Sequence, residues 1–97
     1  MIKLSRIEIN EKRLDDLESI ASKLDLDLEK FENLIKDYHL LNRYYGSEAW
    51  FKDKKNFEEG KIKDVKAGVL SEDAVWNLDD RISDIVSRMK VIVEKMK

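Results

Sequence analysis

Apolar residues recur at alternating spacings of three and four through the first half of the chain. They are Ile7, Leu14, Leu17, Ala21, Leu24, Leu28, Phe31, Ile35 and Tyr38, with Asn10 and Asn42 as polar members of the same seam. Such spacing lines up one stripe of an α-helix and predicts a single helix over about 5–45. Ser5 and Glu8 stand in the S-x-x-E relation of a capping box, with Leu4 and Ile9 placed for a hydrophobic staple. Nothing breaks the pattern before Gly46, which suits the left-handed residue that ends a helix. At ~1.5 Å per residue the predicted rod is roughly 60 Å long. Ile20, Leu34 and Leu41 widen one flank of the stripe, while Glu11, Glu18, Asp25, Glu32 and His39 occupy the other.

A second seam runs through Val75, Leu78, Ile82, Ile85, Met89, Ile92 and Met96. It predicts a helix over about 71–96, with Ser71 as N-cap, Glu72 and Asp73 suiting the positive end of the dipole, and a staple between Leu70 and Val75. Val86 and Val93 widen one flank here, and Arg81, Arg88 and Lys95 line the other. Between the seams, Ser47 is positioned to cap a short helix over about 47–59 that carries Trp50, Phe51 and Phe57 and stops at Gly60. Residues 61–67 suggest one more turn around Ile62 and Val65, ended by Gly68. Trp76 lies off the seam, and its expected place is against Trp50 or Tyr45 in an aromatic cluster closing the tip, the alternative being an exposed anchor for a partner.

The pattern therefore reads as one all-α domain over 1–97: a long antiparallel helical hairpin, coiled-coil-like, with a short helix in the connector. The two helices differ in length. Paired antiparallel from the connector, the second would run out near residue 17 of the first, leaving Ile7, Leu14 and Leu17 in water. Leaving a large apolar side chain exposed forgoes roughly 1.5–3 kcal/mol. A second copy is the expected remedy, giving a twofold four-helix bundle. Ile7, Leu14, Leu17, Ala21 and Leu24 are the candidate partner or dimer interface, and Tyr44, Tyr45, Trp50, Phe51 and Trp76 the candidate tip surface. The acidic and basic flanks would face one another in a parallel pairing but not in an antiparallel one. They read as solvated, since exposed pairs contribute little, or as meeting across a dimer interface.

The strings YYGSEAW at 44–50 and GVLSEDAVW at 68–76, set between two long charged helices, resemble a small bacterial family known as a domain of unknown function (number 4298). The resemblance spans nearly the whole chain. It implies an all-helical bacterial protein of about this size and carries no activity, cofactor or catalytic residue to transfer.

Composition narrows the chemistry further. Charged residues make up 41% of the chain, but 19 basic against 21 acidic residues leave a net charge of −2, without a strong pull to nucleic acid or anionic lipid. There is no cysteine, hence no disulfide, thiolate nucleophile or cysteine metal site. His39 is the one histidine and has no Glu-x-x-His or HExxH context, so no metal or other cofactor is expected. The carboxylate pairs Asp15/Asp16, Asp25/Asp27 and Asp79/Asp80 fall on outward or flanking positions, where nothing would desolvate them for acid–base work. With no phosphate-binding glycine loop or nucleophile elbow, the expected function is non-enzymatic: a helical interaction or adaptor protein. No signal peptide or membrane span is legible, and a cytoplasmic setting is expected. The alternative is a weak single-stranded nucleic-acid binder using the lysines and aromatics of 50–66. Asp53, Glu58, Glu59 and Asp64 dilute that patch, which makes nucleic acid an unlikely partner.

Overall fold

The structure is a computed structural model in which residues 4–97 are described. In chain order it comprises α1 (Leu4–Tyr44), α2 (Glu48–Glu58), a 3₁₀ turn at Gly68–Leu70 and α3 (Ala74–Lys95), with no strand among the described residues. The protein is all-α, and the three helices fall within a few residues of the predicted 5–45, 47–59 and 71–96. The chain divides into two units, Met1–Asp37 and Tyr38–Lys97.

The described part of the first unit is a single stretch of α1. From Leu4 to Lys30 every side chain is exposed, and Phe31 is the first to be half-buried. Exposure thus reaches well past residue 17, where the length comparison placed its limit. Ser5 already lies inside the helix, so the predicted capping box does not set its start. Local support within this stretch is modest. Lys12 pairs with Asp16 one turn on at 2.7 Å, and the Asn10 amide donates back to the Arg6 carbonyl at 2.8 Å. An exposed pair of this kind adds about 0.3–0.5 kcal/mol.

The second unit holds the turn. Gly46, at φ 77°, ends α1 in the left-handed region, and Ser47 follows in extended backbone. The Ser47 hydroxyl donates to the Tyr44 carbonyl at 2.6 Å and accepts from the Trp50 N–H at 3.2 Å, joining the end of one helix to the start of the next. α2 closes in a Schellman motif: the Lys61 N–H reaches the Asn56 carbonyl at 2.9 Å and the Gly60 N–H reaches that of Phe57 at 3.1 Å. Gly60 sits at φ 75° to permit it.

Residues 61–67 depart from the prediction. They form no helical turn, because Asp64 adopts φ 60°, a left-handed conformation that interrupts the helical path. Gly68 opens the 3₁₀ turn instead of ending a helix. The N-cap of α3 is Asp73 and not the predicted Ser71; the Ser71 hydroxyl accepts from the Ala74 N–H at 3.1 Å within the turn that leads into the helix. The return of the chain is antiparallel within this unit: the Tyr45 hydroxyl donates to the Glu72 carbonyl, while Asn42, one turn earlier, donates to the Asp79 carboxylate, two turns later, at 3.0 Å.

The buried apolar core of the described chain consists of Trp50 and Val75, each 3% exposed. Gly46 and Gly68 offer a contrast in what holds the turn, since an added Cβ would meet nothing within 4 Å at either. Only Gly46 needs positive φ, so Gly46→Ala should cost about 1–2 kcal/mol, whereas Gly68→Ala should be neutral or slightly stabilising. Urea unfolding followed by tryptophan fluorescence measures both.

Candidate functional site

Two surfaces carry the candidate residues, one on each unit. On the first, Ile7, Leu14, Leu17, Ala21 and Leu24 are all exposed, Leu17 at 69%. Eleven large apolar side chains between Leu4 and Ile35 are exposed in total, most of them on the seam or its widened flank. Glu11, Glu18, Asp25 and Glu32 stand beside the stripe, exposed as well. A helix with this much wet apolar surface is poorly supported by its own chain, because helices in proteins gain most of their stability from packing an apolar face.

The tip on the second unit is built around Trp50. Its first-turn position in α2 follows from the Ser47 cap, and its ring N–H donates to the Val69 carbonyl at 2.9 Å. Tyr45 packs edge-on against the indole with ring centroids 5.1 Å apart, and Phe51 does the same at 4.9 Å. The Lys54 ammonium lies 5.2 Å from the ring centroid and pairs with Glu72 at 2.8 Å. That hydrogen bond raises the Lys54 pKa and lowers that of Glu72. The sequence had placed Trp76 in this cluster. Instead Trp76 is 63% exposed, as the alternative reading has it, and its neighbour Val75 is the buried residue. The correction has a simple geometric cause: successive helical residues point about 100° apart, so seating Val75 in the core turns Trp76 outward.

Sequence reasoning also missed the polar contacts. The Tyr44 hydroxyl donates to the Asp53 carboxylate at 2.6 Å across the turn. Asp79, expected to be an outward carboxylate, is half-buried and holds the Asn42 amide. Asn42 gave the one usable signal, as a polar residue in an apolar seam that needs a partner. Beside Tyr44 and Asp53 a cleft of about 290 Å³ is walled by Phe57, Ile62, Val65, Val69 and Leu70. Val65 remains 59% exposed, so the cleft is open to water.

The electrostatics of Tyr44 keep its hydroxyl protonated at neutral pH. Its hydrogen bond to Asp53, with burial and the carboxylate's charge adding to it, pushes the pKa up to about 12. A nucleophile or general base needs its pKa moved towards neutrality instead. His39 is exposed, with its ring centroid 5.6 Å from that of Tyr38. Among the described residues no cluster of three His, Asp or Glu side chains is placed to hold a metal ion. No described helix is long and apolar enough to cross a membrane.

A family model described as a domain of unknown function (DUF4298) matches residues 7–92, and the chain belongs to that family. No curated protein and no solved structure matches it.

The Tyr44–Asp53 bond makes a checkable statement about pH. The folded state holds the Tyr44 proton more tightly than the unfolded chain, whose tyrosines titrate near 10.0. The bond's contribution to stability is therefore fully present below pH 10 and is lost as the pH rises towards 12. Tyr38 is also raised, by hydrogen bonding to Asp79. Ultraviolet titration should show late-ionising tyrosine, and Asp53→Asn should return one tyrosine towards the ordinary range.

Proposed function

We propose that this member of the DUF4298 family is a non-enzymatic helical interaction module, acting through the apolar face of α1. The face buries itself against a helix of a partner, in the first instance a second copy of the chain. The observation that carries this reading is the unbroken exposure of the stripe from Ile7 to Leu28. Full burial of a Leu or Ile side chain contributes roughly 1.5–3 kcal/mol. The helix itself already covers part of each, so about 1 kcal/mol per side chain remains to be gained on docking. A pairing of two hairpins around a twofold axis would form a four-helix bundle. The cytoplasmic setting expected from the sequence belongs to the same proposal.

Binding of single-stranded nucleic acid through 50–66 is the weaker reading. Lys54 is held by Glu72 and Lys61 by Glu59 at 3.0 Å, and Trp50, the largest stacking aromatic of the segment, is buried. Phe51 and Phe57 remain exposed, but counterion release scales with the number of free lysines.

Light scattering tests the proposal. The expected molar mass is twice 11.5 kDa for the unmodified protein, little affected by salt. Leu14→Asp with Leu17→Asp should bring it to a single chain while the fluorescence of buried Trp50 stays unchanged. A single-chain mass for the unmodified protein across a tenfold concentration range would overturn self-association.

A further inference from the structure

We infer that the helix seated on the exposed face of α1 is α3 of a second copy, running parallel to α1. This rests on the helix-packing reading above and adds which helix docks and in which direction. Two charged rows lead to it. Glu11, Glu18, Asp25 and Glu32 recur every seven residues along one flank of the α1 stripe, and Arg81, Arg88 and Lys95 recur every seven along one flank of the α3 seam. All seven side chains are exposed. The ion pairs among the described residues are Lys12–Asp16, Lys54–Glu72, Lys61–Glu59 and Lys97–Glu94, and they use none of the seven. Both rows therefore remain uncompensated by their own chain.

In heptad packing, the flank before each seam residue of one helix meets the flank after it on the other only when the helices are parallel; antiparallel helices set like flanks together. With Ile82 level with Leu14 of the other copy, Arg81 faces Glu18, Arg88 faces Asp25 and Lys95 faces Glu32. The same register puts Ile85 level with Leu17, Met89 with Ala21 and Ile92 with Leu24, and it sets Ile20 beside Val93. A large methionine meets the small alanine, and no like charges oppose one another. Two copies of α1 paired antiparallel instead would set the acidic flank against itself. Within one chain the tip turns α3 back against the end of α1, so the basic and acidic flanks do not meet there either. The charge match survives a shift of one heptad. It therefore selects the docking helix and its direction, and the register follows from the apolar layers.

The test is a charge swap between two variant chains. One carries Glu18→Lys and Asp25→Lys, the other Arg81→Glu and Arg88→Glu. Twofold symmetry repeats each reversal, so either variant alone should dimerise at least about tenfold more weakly than the unmodified chain. Mixed in equal amounts, they should form a heterodimer within a few-fold of the original affinity, read by native mass spectrometry and sedimentation equilibrium. Circular dichroism of each variant checks that its helices persist. If both variants self-associate as the unmodified chain does, the flanks are solvated and the inference fails while the helix-packing reading stands. If the glutamate variant self-associates as the unmodified chain does, α3 is not at the interface and α1 pairs with α1, which also overturns it. An unmodified chain that stays monomeric removes the dimer reading itself, a failure the mass measurement registers before any charge is reversed.

Discussion

Trp50 joins the three segments of the tip: the Ser47 hydroxyl accepts from its backbone N–H, its ring N–H holds the Val69 carbonyl, and Tyr45 and Lys54 cover its faces. With Val75 it is the part of the described chain withdrawn from water. The direction in which α3 leaves the turn is held by this anchor together with the Tyr45–Glu72 and Asn42–Asp79 contacts. A carbonyl left unpaired in such a place costs about 1–3 kcal/mol. The tip is thus an ordered local structure with its own small core, and its polar groups are matched.

The contrast with the first unit gives the account its logic. There, little beyond backbone hydrogen bonds and short-range pairs supports a long amphipathic helix. The apolar residues of that stretch are as regular as those of a packed seam, yet none before Phe31 is even half-buried. Under the proposed reading, the core of this stretch is completed by a second copy of the chain. The proposal accordingly rests on the helix face, with the tip as the clasp that turns the chain back.

Much of this was legible in the sequence because the relevant chemistry is local. Ser47 and Gly46 sit where a cap and a left-handed stop belong, and Gly60 closes α2 as its position suggested. The seam residues of α1 and α3 announced the helices through spacing alone. The misses are of another kind. The stretch KIKDVKA has helical spacing at Ile62 and Val65, but a left-handed Asp64 breaks it; aspartate is among the few non-glycine residues that adopt this conformation readily, a signal the spacing overrode. Trp76 attracted attention as a large aromatic, while Val75, already in the seam, was the residue seated in the core. The Tyr44–Asp53 and Trp50–Val69 contacts join residues whose proximity is set by the turn itself, so no periodicity reveals them.

The measurement that bears most directly on the central claim, that another copy's helix covers α1, is amide hydrogen exchange at several protein concentrations. Protection over 7–28 should fall on dilution as pairs dissociate, while amides around Trp50 keep theirs, because the tip is closed within one chain. Protection over 7–28 that is unchanged across a hundredfold dilution, with the mass at that of a single chain, would contradict the account.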